Sequence, residues 1–223
     1  GTANSETMLI KRYRDISQMG DVDAAIEDVV NDAIANLDDE KPVKLNLDNV
    51  QQSATVKKAI VSEFDGVLRM LDFNTRAQDY FRRWYIDGRI FFHKVIDTEK
   101  PKEGIKDVRY VDPRKIRKVR EIKKEKDKKN NITLVKDVQE YFVFDEKGIA
   151  TNSQLSYRSE AVNEKAIKVS KDSVTYCTSG LVDQDRNIPL SYLHKAIRPA
   201  NQLRMMENAV VIYRITRSPE RRI

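Results

Sequence analysis

The sequence predicts an α+β protein: a helical N-terminal part, an antiparallel sheet region, and a long helix at the C-terminal end. Three observations lead there. Up to Gly88 the apolar residues recur every three to four positions, the period of a buried helix face. From Arg89 to Gly180 the period changes to short runs rich in β-branched and aromatic residues, separated by charged turns. After two proline-marked starts, at Pro189 and Pro199, the helical period returns.

Each element follows from its residues. In DVDAAIEDVVNDAIANL, Val22, Ala25, Ile26, Val29, Val30, Ala33, Ile34 and Leu37 form one face, with Asp21 as the expected N-cap. VKLNL (Val43 to Leu47) alternates after Pro42 and reads as a strand. SATVKKAIVSEFDGVLRML aligns Val56, Ile60, Phe64, Val67, Leu68 and Leu71 on one stripe of a second helix. TRAQDYFRRWYIDG is a third, ended by Gly88. RIFFHKVID, DVRYVD, IRKVREIKKE and ITLVKDVQEYFVFD read as strands, with KDKKNN (Lys126 to Asn131) as a charged tip and DEKG as a turn. AIKVS and SVTYCTSG read as two short strands. Pro189 is expected to open a helix through LSYLHKAI, and Pro199 the final one.

At 223 residues the chain is long enough for one large or two small domains. Its 40% hydrophobic and 34% charged content is that of a strongly polar globular protein. No apolar run approaches the ~18–20 residues of a membrane-spanning helix. GTANSETML lacks the basic start and apolar core of a secretory leader. A single cysteine, Cys177, rules out an intrachain disulfide and a Cys-rich metal site, and fits a reducing compartment. The net charge of +6 is unevenly spread. Lys100 to Lys129 holds 14 basic against 6 acidic residues, and Arg198 to the end 6 against 2. Ser5 to Asp72 holds 8 against 14. An acidic end and a basic end suit a phosphate-rich partner or a neighbour docked head to tail.

Catalytic patterns are missing. There is no phosphate-cradling G-x-x-x-x-G-K-[ST] loop, no H-E-x-x-H, no C-x-x-C and no EF-hand spacing. Catalytic, cofactor and metal residues are therefore expected to be none. His93 lies within IFFHKVI, where one face of a strand is the simplest role. Ser179 in CTSG could pair with His194 and Asp183, but CTSG is not a nucleophile elbow. Phe81, Trp84 and Tyr85 sit at helical spacing, as a core anchor would.

Two stretches point to partners. The basic segment offers Arg117, Lys118, Arg120, Lys123, Lys124, Lys126, Lys128 and Lys129 for a polyanion or an acidic partner surface, with plain solvation as the bland alternative. Read functionally, it could make the chain a sequence-independent nucleic-acid-binding module. Only Tyr110 is aromatic there, so a stacking platform for single strands is not expected. The lysines from Lys123 to Lys129 are expected on a protruding loop, because buried unpaired ions are costly. In the final helix Met205, Met206, Ala209, Ile212, Tyr213 and Thr216 cover one broad face, with Arg204, Glu207, Asn208 and Arg214 opposite. Leu203, Val211 and Ile215 intrude on the polar side. Apolar groups on nearly every side predict neighbours on more than one side. The expected interface is Leu203, Arg204, Met205, Met206, Glu207, Ala209, Val210, Ile212, Tyr213 and Arg214.

YFRRWYIDGRIFFHKVID, PKEGI, DPRKI, SGLVD and YLHKAIRPANQLRMMENAVVIYRITRSPERR together resemble the portal vertex proteins of T-even-like contractile-tailed bacteriophages, in their N-terminal half. The resemblance runs from about Arg12 to the end. It implies a wing-like domain over 1–197 and the start of a stem helix over 198–223, with the clip, second stem helix, tunnel loop and crown outside this span. It implies a ring, twelve subunits in mature virions, at one capsid vertex, through which DNA is packaged and ejected. The implied partners are other copies of the chain, the large terminase subunit, major capsid and scaffold proteins, and neck and tail proteins. Double-stranded DNA would pass through without sequence recognition. The implied location is the virion, after assembly in the host bacterial cell at the inner face of the membrane. The family's ATPase is the terminase, so the portal itself is implied not to be an enzyme.

Overall fold

A computed structural model describes residues 6–34, 43–126, 133–146, 148–149, 166–183 and 188–217, with only the backbone described for strand residues between 123 and 137. The α+β expectation holds: five α-helices and two antiparallel three-stranded sheets.

Helix α1 (Glu6–Ser17) was not singled out in the sequence, yet it supplies core. Leu9, Tyr13 and Ile16 recur at four and three residues and are buried with Ile10. Helix α2 (Gly20–Ala33) follows after two residues. Its N-cap is Met19, not Asp21, because the Asp23 N–H already closes the first helical bond onto the Met19 carbonyl at 2.8 Å. Asp21 lies inside the first turn, where a carboxylate faces the positive end of the helix dipole. Ile26 and Val30 bury the inner face.

Val43–Leu47 is not a strand. Alternation supplies a face, but a strand also needs a ladder partner. The segment instead closes a turn, with the Asp48 N–H donating to Asn46 Oδ1 at 2.8 Å. Ser53 then caps helix α3 (Ala54–Met70), and a two-residue turn leads to α4 (Phe73–Asp87). Gly88 ends α4 in the left-handed region, φ 71°. A Cβ there would stand 2.5 Å from the Leu190 carbonyl oxygen, so both backbone and space require glycine.

Strands β1 (Arg89–Ile96), β2 (Ile105–Val111) and β6 (Val174–Thr178) form the first sheet, ordered β2-β1-β6. Strands β3 (Ile116–Lys126), β4 (Thr133–Phe144) and β5 (Ile167–Ser170) form the second, ordered β3-β4-β5. Aromatic rings join the sheets: Phe91 stacks on Tyr176 at 4.5 Å and meets Phe142 edge-on at 6.0 Å. Burial pushes the Tyr176 hydroxyl up to about 12. A second core of Leu9, Tyr13, Ile26, Val30, Ile86 and Leu193 joins α1, α2, α4 and the approach to the last helix.

Pro189 opens no helix. It forms an isolated antiparallel bridge with Val182, and Ser191 instead caps a 3-10 turn, Tyr192–Ala196. That turn runs directly into α5 (Ile197–Thr216). Pro199 is the third residue of α5, where its missing N–H has no intrahelical acceptor to lose.

Candidate assembly surfaces

The base of α5 is built with care. Ser191 is fully buried. Its hydroxyl donates to the Tyr85 carbonyl and accepts from the Leu193 N–H, both at 3.0 Å. Leu193 fills the helical core, and Ile197 packs beside it. Tyr192 stacks on Tyr85 at 5.2 Å and also meets Trp84, so the aromatic run of α4 is the anchor its spacing predicted. The Tyr13 hydroxyl lies 2.8 Å from His194 Nδ1.

Two charged clusters lock the same region. Arg14 donates to both Asp87 oxygens, at 2.9 and 2.7 Å, and to both Asp112 oxygens, at 3.1 and 3.2 Å. Its own pKa is raised, first by the Asp87 hydrogen bonds. Burial alone would raise Asp112, but hydrogen bonds from Arg114 and Arg14 overcome it and hold the carboxyl well below the usual range. Arg89, buried, bonds Glu6 at 3.0 Å and the Pro189 carbonyl. These bonds tie α1, α4, β1 and the entry to α5 into one base.

From that base α5 projects. Ala200 is its one buried residue. Beyond it Met205 and Ile215 are each 71% exposed, Ile212 61% and Val211 55%. Met206, Val210 and Tyr213 are also exposed, as are Arg204, Glu207, Ala209 and Arg214, while Leu203 is half-buried. Sixteen residues at ~1.5 Å each make a rod of about 24 Å with apolar side chains facing water on all sides.

The second surface is the β3–β4 ribbon. Lys118 and Lys171 each lie 3.1 Å from Glu140, and Arg120 lies 3.9 Å away. The Glu140 carboxyl is lowered by its bonds to Lys171 and Lys118. Arg117 is exposed. Lys123, Lys124 and Lys126 are on the β3 backbone, while Lys128 and Lys129 lie outside the described residues, as does the protruding tip expected there.

The residues weighed for catalysis have other engagements. Ser179 Oγ donates to the Leu190 carbonyl and accepts from the Leu181 N–H at 3.2 Å, holding a turn. His194 is directed to Tyr13. His93 is half-buried on β1, opposite Arg109 on β2 and Val174 on β6. Among the described residues no cluster of His, Cys, Asp or Glu could hold a metal, and no helix is long and apolar enough to cross a membrane. Nothing in the fold supports the expected placement at the inner face of the membrane.

The family model described as Bacteriophage T4-like portal protein (Gp20) matches residues 6–223. The chain belongs to the T4-like portal protein family. The portal protein of Vibrio phage KVP40 is 38% identical over 217 residues, covering 96% of this chain and 41% of that protein. The portal protein of Salmonella phage ViI is 31% identical over 218 residues, covering 96% of this chain and 39% of that protein. The chain therefore spans about two-fifths of the length of the portal relatives it matches. Within this portal segment the stem-like helix was legible from its residues. The Arg14–Asp87, Arg14–Asp112 and Arg89–Glu6 pairs, each with at least one member buried or half-buried, were not, because each joins residues more than 70 positions apart.

Proposed function

We propose that this chain is the wing and the start of the stem of a portal subunit, residues 1–197 and 198–223. In full length it forms, with other copies, the ring-shaped channel at one capsid vertex. On this reading the ring, twelve subunits in the mature virion, passes double-stranded DNA during packaging and ejection. It docks the large terminase subunit, then neck and tail proteins, and nucleates prohead assembly with major capsid and scaffold proteins. Its role is structural, and the chemical work belongs to the motor. One observation carries the reading: α5 leaves the body as a rod whose apolar side chains have no cover among the described residues. Burying a side chain such as Ile is worth roughly 1.5–3 kcal/mol, so several together drive strong association. Apolar groups around the whole circumference need neighbours on both sides, as subunits in a ring provide.

The basic segment fits an acidic protein surface better than DNA. A conduit has to release its cargo, and every phosphate contact that releases a counterion tightens the hold. The experiment is Ile212→Asp in the full-length portal protein. Electron microscopy and sizing should show loss of closed rings while the melting temperature of the wing is unchanged. Rings that close normally would overturn the assignment of α5 as the subunit interface.

A further inference from the structure

From the charges at opposite ends of the packing, we infer that the acidic outer stripe of α2 in one copy docks on the β3–β4 ribbon of the next, as a second joint between ring neighbours separate from α5. This rests on the ring reading above.

The ribbon side begins where the sheet thins. β5 pairs only with Tyr141 to Phe144, so from Glu140 outward β3 and β4 stand as two strands. Two strands alone are marginal in water. On the face that buries Phe142, the next positions outward are the Arg120–Glu140 pair and then Ile122 opposite Val138. Ile122 and Val138 are 44% and 40% exposed, an apolar pair without cover among the described residues. Beside it three cations, Lys118, Arg120 and Lys171, surround the one carboxylate of Glu140. That face carries excess positive charge next to an apolar patch.

α2 is its complement. The helix has five acidic residues and no basic one. Asp23 pairs with Arg82. Asp21, Asp28 and Asp32 fall on one stripe diametrically opposite the buried Ile26 and Val30, with exposed Val29 alongside. None of the three has an ion pair among the described residues. The Asp28 and Asp32 part of the stripe works against the helix itself. Asp28 and Asp32 are like charges at i,i+4, and Asp32 is in the last turn, where the dipole favours cations. An external cationic surface offsets both penalties. The spacings agree: four helical residues rise ~6 Å, and two strand residues ~6.8 Å. α2 packs on α1 and α4, whereas the ribbon packs on the first sheet, so the two patches belong to opposite ends of the contact chain. Different patches that meet between copies make a heterologous contact, the kind that closes rings.

The test is charge exchange in the full-length portal protein, read by sedimentation and by counting rings in electron micrographs, with melting as the fold control. Asp28→Lys with Asp32→Lys, and separately Arg120→Glu with Lys171→Glu, should each lower ring yield at least tenfold at low salt. All four changes together should restore most of it. Rings that form normally in both double variants overturn the inference. So does an unrestored quadruple variant that melts like the parent. If rings form in every variant but fail to enter proheads, the stripe serves a capsid partner and the inference also falls. The ring reading itself is judged separately by Ile212→Asp, so failure of one is distinguishable from failure of the other.

Discussion

At the scale of single residues, sensitivity to substitution concentrates at a few buried charges. Asp87 is 1% exposed, and among the described residues its carboxylate is held by Arg14 alone. Removing one member of a buried pair leaves the other charge uncompensated, at about 3–5 kcal/mol. Arg14→Ala should therefore lower stability by that order in a denaturant melt, far more than a surface change. Asp112 gives the pH dependence. Its folded pKa lies below its unfolded value, so its contribution is complete above the ordinary aspartate range, near pH 4, and is lost as pH falls below it. Asp112→Asn should lower stability at pH 7 and flatten the decline between about pH 4 and pH 2, measured as melting temperature against pH. Gly88→Ala combines a left-handed backbone with an oxygen at 2.5 Å. A cost of several kcal/mol is expected, since strain alone is about 1–3.

At the scale of elements, α3 and α5 show what an apolar pattern does and does not determine. Both were read as helices from spacing, and both are helices. α3 has the single stripe of an ordinary amphipathic helix, yet none of its residues is buried, and Val56, Ile60 and Val67 are 37–42% exposed. Period reports which side is apolar and says nothing of whether the covering element lies in the same span. α5 differs because its apolar residues surround the axis, which no single packing face satisfies. In the isolated chain Ile212→Asp should change stability by no more than about 0.5 kcal/mol, as for other surface positions, while raising solubility. A chain that unfolds with this change would place Ile212 in a core.

At the scale of the whole molecule, two cores and two ionic clusters make a base, and the α5 rod, the acidic α2 stripe and the basic ribbon are carried on it. The two proposed joints respond differently to salt. Exposed charge pairs are screened over a Debye length of ~10 Å at 0.1 M ionic strength, whereas apolar contacts are not weakened that way. Ring assembly of the full-length protein should weaken between 0.05 and 0.5 M salt (order-of-magnitude range). In the Asp28→Lys, Asp32→Lys variant the dependence should reverse, because salt then screens a repulsion between like charges.

The sequence by itself determined the α+β class, four of the five helices and all six strands among the described residues, and the circumferential apolar character of α5. These are local properties: a period of two or 3.6, a glycine that closes a helix at 88, β-branched and aromatic runs. It misjudged Val43–Leu47 and Pro189, because a strand exists only through a partner and a proline permits a helix start without causing one. Only the tertiary structure decided that Arg14 reaches Asp87 and Asp112, that Ser179 and His194 serve a turn and a tyrosine, and that Arg120 and Lys171 share Glu140. Those pairings join residues up to 181 positions apart, and their geometry exists only once the helices and sheets have packed.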